Sequence, residues 1–132
     1  MIRLLLVEDD ANLRYIIQGG LEDMIGGYEI KDAANGVEGL KIWQEWKPDV
    51  IVSDIEMPVM DGYTFLSIVK KDPVFSSIPV IVTTQSDSES DEVAALSHGA
   101  SDFVAKPYKP QIILHRVASI INLRENAAMV NQ

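Results

Sequence analysis

The chain is 132 residues long, 47% hydrophobic and 23% charged, with a formal net charge of −9 and no cysteine. That length supports one domain, because two separate cores would each be too small to be stable. The acidic balance excludes general binding to nucleic acid or anionic lipid, the missing cysteine excludes disulfides and thiolate metal sites, and no apolar run reaches the roughly 20 residues of a membrane span.

In chain order, Ile2–Val7 is a continuous apolar run and predicts a first strand. It is too short for a secretory signal and lacks a small-residue cleavage site, so the cytoplasm is the default address. Leu13, Ile16, Ile17, Leu21 and Met24 recur at helical spacing and mark a first helix, with Asp10 placed to cap its start. Tyr28–Lys31 is a weaker, half-exposed run and predicts an edge strand. Val37, Leu40 and Trp43 mark a second helix ended by Pro48. Trp46 lies three residues after Trp43, a spacing that suits packing or surface cover. Val50–Ser53 predicts a third strand. Phe65, Leu66 and Val69 mark a third helix that stops before Pro73, with Gly62 ahead of it as a tight-turn residue.

Val80–Thr83 predicts a fourth strand. Val93, Leu96 and Ala100 suggest a shorter, more polar fourth helix, with Ser86 and Glu89 spaced as a capping box. Phe103–Ala105 predicts a fifth strand, and Ile113, Leu114, Val117 and Ile121 a fifth helix with Pro110 near its first turn. His98 and His115 fall in these helices without partners, which speaks against a metal role. The domain is read as residues 1–124, and the polar stretch 125–132 as a tail, a helix extension or the start of a linker. Strict strand–helix alternation calls for an α/β fold: a five-stranded parallel sheet with helices on both faces.

Ligands of open parallel sheets bind beyond the carboxyl ends of the strands. The first strand runs out into Glu8, Asp9 and Asp10, the third into Asp54 and then Glu56, the fourth into Thr83 and Thr84, and the fifth into Lys106. Two bare carboxylates at ~4 Å repel by about 4 kcal/mol at an effective dielectric of 20, so a proton or a cation must relieve them. A hard, oxygen-bound cation such as magnesium suits that donor set. A carboxylate beside it can attack phosphorus as a nucleophile, with Lys106 neutralising the transferring group and the Thr83 hydroxyl donating to it. Taken singly, each residue is more commonly structural: a helix cap, a turn residue, a strand-end β-former, a solvated lysine. Their shared edge and order outweigh those separate readings.

The residues Leu6-Val7-Glu8-Asp9-Asp10, Asp54 with Met57-Pro58-Val59-Met60-Asp61-Gly62, Pro79-Val80-Ile81-Val82-Thr83, and Lys106-Pro107 resemble a receiver domain of bacterial two-component response regulators, of the chemotaxis-receiver kind. The resemblance extends from Ile2 to about Leu123. It implies the flavodoxin-like strand order 2-1-3-4-5. It implies phosphorylation of Asp54 and a Mg2+ ion held by Asp9, Asp54, the main-chain carbonyl of Glu56 and, through water, Glu8. Thr83 becomes the switch hydroxyl, Lys106 the phosphate-pairing lysine, and Phe103 the strand-five aromatic that turns inward, though without the hydroxyl of the more common tyrosine. Pro107 is expected after a cis peptide bond. Glu56 and Gln85 occupy places that tune hydrolysis of the aspartyl phosphate. Thr84 stands where a small residue is usual, and its branched side chain is expected to narrow access to Asp54. Asp10 falls one place beyond the acidic pair and is left as a helix cap.

The resemblance further implies a phosphorelay signalling module, with a sensor histidine kinase or phosphotransfer protein as donor and a downstream effector protein or domain as target. A phosphorylation-dependent homodimer is a further expectation; direct contact with nucleic acid or membrane is not. It is not a turnover enzyme, since only self-phosphorylation from a donor and slow self-dephosphorylation are expected. Two other readings compete. One is a magnesium-dependent phosphatase working through an aspartyl phosphate, because Asp54 and Glu56 have the two-residue spacing of a nucleophile and acid in haloacid-dehalogenase-like phosphatases, although there the pair follows the first strand. The other is an unphosphorylated receiver-like scaffold.

Overall fold

The structure is a computed structural model and describes residues 2–24, 28–56, 62–72, 78–85, 88–106 and 108–130. Ten elements alternate along the chain: β1 (Ile2–Val7), α1 (Ala11–Met24), β2 (Tyr28–Ala33), α2 (Gly36–Trp46), β3 (Val50–Asp54), α3 (Gly62–Lys71), β4 (Val80–Thr84), α4 (Glu89–Ser97), β5 (Asp102–Ala105) and α5 (Pro110–Val130). All strand pairings are parallel, in the order β2-β1-β3-β4-β5. The weakly apolar β2 is an edge, as its half-exposed pattern predicts.

Side chains alternate across a strand, so the central strands, buried throughout, feed two cores. Leu5, Val7, Ile51, Val80 and Val82 face Trp43 of α2, Phe65, Leu66 and Val69 of α3, and Ala95 of α4. Leu4, Leu6, Val50, Val52, Ile81 and Val104 face Ile17 of α1 and Ile113, Val117 and Ile121 of α5. Both tryptophans of α2 are buried, which settles them as packing groups. Arg3 lies over the Trp46 ring at 5.8 Å and donates to its carbonyl at 2.7 Å.

Local signals explain where the helices begin and end. The Asp10 carboxylate accepts from the N–H groups of Asn12 and Leu13, the expected cap of α1. Asn35 caps α2 by accepting from Glu38 N–H, and the Glu38 carboxylate accepts in return from Ala34 N–H. The same helix stops at Lys47, which takes a left-handed φ of 57° and donates to Trp43 O before Pro48.

Several expectations need correction. Val37 and Ile16, counted on inward faces, are 50% and 56% exposed; the inward positions go to Gly36, Gly39 and Ile17. The fourth helix does not pack through Val93 and Leu96, which are 55% and 45% exposed, but through Ala95, whose small side chain permits close approach. Its cap is Ser88, which accepts from Asp91 N–H; a Ser86–Glu89 box would need Glu89 at the third helical position, whereas Glu89 is the first. Gly62 is the first residue of α3, and the segment that would form a turn into it lies outside the described residues. Ser86, the 57–61 segment and Pro107, with its expected cis bond, lie outside the described residues.

Candidate functional site

The two-residue period of a strand carries the apolar rows of the α1/α5 face onward to polar residues. Leu4 and Leu6 lead to Glu8, Val50 and Val52 to Asp54, Ile81 to Thr83, and Val104 to Lys106. Four functional side chains are therefore delivered to one face of one sheet edge by register alone. Asp54 and Thr83 are direct neighbours across the β3–β4 pairing. Because β2 and β3 flank β1 on opposite sides, Glu8, Asp9 and Asp54 lie where the winding reverses.

The ammonium of Lys106 closes the group. Its Nζ lies 2.6 Å from Glu8 Oε1 and 3.0 Å from Asp54 Oδ2. Glu8 is 1% exposed and Asp54 2%, so one cation bridges two buried acids. Asp9 stands at the solvent side, and carboxylate oxygens of Glu8, Asp9 and Asp54 all lie within 4.8 Å of one another. Arg14 on α1 fixes the acidic turn from below, donating to the Glu8 carbonyl at 2.7 Å and pairing with Asp32 at 3.0 Å. The second Glu8 oxygen accepts from Asp10 N–H at 3.1 Å.

The electrostatics follow from this crowding. Burial, reinforced by the neighbouring Glu8 and Glu56 carboxyls, pushes Asp54 up to about 8, although Lys106 pulls the other way. Burial works against the charged form of Lys106 as well, but its two carboxylate partners outweigh that and hold it above its ordinary value. Three acids cluster where one lysine pairs with two of them, and the donor set is all oxygen. That deficit of positive charge, at a spacing one small ion can bridge, fits a hard divalent cation.

Glu56 leans over the same pocket. Its N–H donates to Asp54 Oδ1 at 3.2 Å, and its carboxyl group lies within hydrogen-bonding reach of the Asp54 carboxyl. The Glu56 carboxylate accepts from the Thr84 hydroxyl and from Gln85 N–H. Burial alone would raise Glu56, but the bonds from Thr84, Asp54 and the main chain hold it below the usual carboxylate range.

Two contributors escape a reading of the sequence, Arg14 and Tyr108. Burial and the Glu8 charge push the Tyr108 phenol up to about 12, while Lys106 and a hydrogen bond with Thr83 act in the opposite sense. The aromatic two places after Lys106 was the only available signal. With Leu13, Gln85 and Lys106, Tyr108 lines an open cleft of about 480 Å³ beside the acids. Phe103 is partly buried on the opposite face, against the α2/α3/α4 core. Among the described residues His98 and His115 join no acidic cluster.

A parallel order of 2-1-3-4-5 with an acid cluster and a lysine at the switch point is the arrangement that the receiver resemblance implies, and comparison with known proteins agrees. Residues 4–118 match the family described as Response regulator receiver domain. The chain belongs to that family. It is 33% identical over 121 residues to Protein PilH of Pseudomonas aeruginosa, covering 92% of this chain and 98% of that protein. It is 35% identical over 127 residues to the probable transcriptional regulator ycf27 of Cyanophora paradoxa, covering 96% of this chain and 51% of that protein. The chain thus spans about half the length of that relative. Among solved structures, the chemotaxis response regulator CheY4 of Vibrio cholerae superposes with a TM-score of 0.84 at 31% identity, covering 91% of this chain and 98% of that one. Nothing in these comparisons supports the phosphatase alternative.

Proposed function

We propose that this receiver domain accepts a phosphoryl group on Asp54 and uses it to switch a protein-binding surface in a phosphorelay. The observation that carries the proposal is the Lys106 ammonium bridging buried Glu8 and Asp54, with Asp9 within ion-sharing distance. Asp9, Asp54 and the Glu56 main-chain carbonyl would hold Mg2+, with Glu8 acting through water. When bound, the cation supplies a counter-charge that keeps Asp54 ionised and screens the phosphoryl oxygens.

The remaining chemistry is assigned to the chain's own side chains. An Asp54 carboxylate oxygen attacks phosphorus, and the bond to the donor's leaving group breaks with its electron pair. Lys106 then exchanges its pairing with Asp54 for a phosphoryl oxygen, and the Thr83 hydroxyl donates to another. Phe103 follows Thr83 from the opposite face of the sheet. Glu56 and Gln85 set the lifetime of the aspartyl phosphate. The module so described does not turn over.

Residues 1–124 are the receiver under this proposal, and 125–132 a tail or the start of a linker, with α5 carrying the chain outward to Val130. The donor is a histidine kinase or phosphotransfer protein, the target an effector protein or domain, and phosphorylation favours a homodimer. No helix among the described residues is long and apolar enough to cross a membrane, and a cytoplasmic setting suits a kinase partner. The test is incubation with acetyl phosphate and Mg2+, followed by intact mass. One phosphoryl group per chain is expected, lost with EDTA and in Asp54→Asn; uptake by Asp54→Asn equal to wild type would contradict the assignment.

A further inference from the structure

One oxygen of the Glu56 carboxylate is held by two donors, a set that the family pattern, with a small residue at position 84, does not provide. The Thr84 side chain is 2% exposed, and its hydroxyl donates to Glu56 Oε1. Gln85 N–H donates to the same oxygen at 3.2 Å. Glu56 N–H in turn donates to Asp54 Oδ1 at 3.2 Å, so the loop after β3 is tied both to the nucleophile and to the exit of β4. Thr83 and Thr84 are adjacent on that strand and serve opposite faces. Thr83 points with Asp54 toward the phosphoryl side, and Thr84 reaches Glu56 over the sheet edge.

We propose that Thr84 is a positioning residue, whose hydroxyl pins the Glu56 carboxylate beside Asp54 so that a fixed negative charge favours cations at the site and opposes anionic phosphoryl groups. The physical basis is one charge acting with opposite sign on two ligands. A carboxylate held at the pocket mouth attracts a divalent cation and repels a phosphoryl group or its donor. Without the Thr84 hydroxyl, one of the two donors to Oε1 is gone and a methyl group faces the carboxylate, which then gains more by turning into water. The inference rests on Asp54 as the acceptor, and it assigns residue 84 a role beyond narrowing access.

The experiment compares wild type with Thr84→Val, Thr84→Ser, Glu56→Gln and the Thr84→Val/Glu56→Gln pair. Calorimetry first measures Mg2+ affinity alone, then affinity for beryllofluoride, an anionic phosphoryl mimic, at saturating Mg2+. Thr84→Val and Glu56→Gln should each weaken Mg2+ and tighten beryllofluoride by roughly two- to fivefold, the scale of one partly exposed charge. Thr84→Ser keeps the hydroxyl and should behave as wild type, while the pair should show no more than Glu56→Gln alone. Both affinities falling together in Thr84→Val, or an undiminished Thr84→Val effect in the Glu56→Gln background, would overturn the inference in favour of a packing role. Wild-type protein that takes no beryllofluoride would count against Asp54 as the acceptor, and the Mg2+ series would then decide the role of Thr84 by itself.

Discussion

Asp54 is a carboxyl group that burial drives toward neutrality and the proposed function requires to be charged. Its ordinary value of 3.8 rises to about 8 in the folded chain. Between those values the folded protein without a cation holds a proton that the unfolded chain has released. Stability from this group is therefore full below about pH 4 and is lost as pH rises toward about 8. We predict that urea denaturation in EDTA shows wild type losing stability relative to Asp54→Asn across that window, and that saturating Mg2+ removes most of the difference near neutrality. A wild type that gains stability relative to Asp54→Asn over the same range would contradict this. Lys106 is the other decisive residue. In Lys106→Ala the acids keep their cation site, so phosphoryl labelling should survive, but the response should weaken. Chemical-shift changes on beryllofluoride binding equal to those of wild type would argue against that role.

Much of the site could be read before the structure because β-register is arithmetic. Counting by twos from Leu4, Val50, Ile81 and Val104 arrives at Glu8, Asp54, Thr83 and Lys106, and buried apolar rows make the starting points visible. Glu56 and Tyr108 could not be placed that way. They lie in loops, where no period fixes which side chain faces which, so the Thr84–Glu56 pairing was not legible either.

The elements show the same division. Helices that bury large residues were legible: Phe65, Leu66 and Val69 of α3, and Ile113 and Val117 of α5, are at most 1% exposed. On α4 the periodic large residues point outward and a single alanine makes the contact, so hydrophobic spacing misled. Its start is capped by Ser88, which accepts from Asp91 N–H. Ser88→Ala is expected to lower stability by about 0.5–2 kcal/mol, read by denaturation, through loss of one satisfied N–H. Ile113→Ala should cost more, about 2–5 kcal/mol, because it opens a cavity between α5 and the strands that carry Glu8 and Asp54. A smaller loss at Ile113 than at Ser88 would mean that α5 does not brace the site.

At the scale of the whole molecule, a parallel sheet gathers charge at one edge and leaves two helical layers to read it. Under the proposed function, phosphorylation would act by shifting an equilibrium between two surfaces, the new group binding one arrangement of Thr83 and Lys106 better than the other. Lys106 matters most among the site's cations, since it serves both buried acids, Glu8 and Asp54. The exposed Val93 and Leu96 of α4 and Ile112 of α5 are apolar groups that such a shift could present or withdraw. All of this depends on where the phosphoryl group is attached. The direct measurement is to label the protein with acetyl phosphate and Mg2+, reduce it with borohydride, and map the product by peptide mass spectrometry. Homoserine at position 54 is the predicted result; reduction at Glu8, Asp9 or Glu56, with position 54 still aspartate, would contradict it.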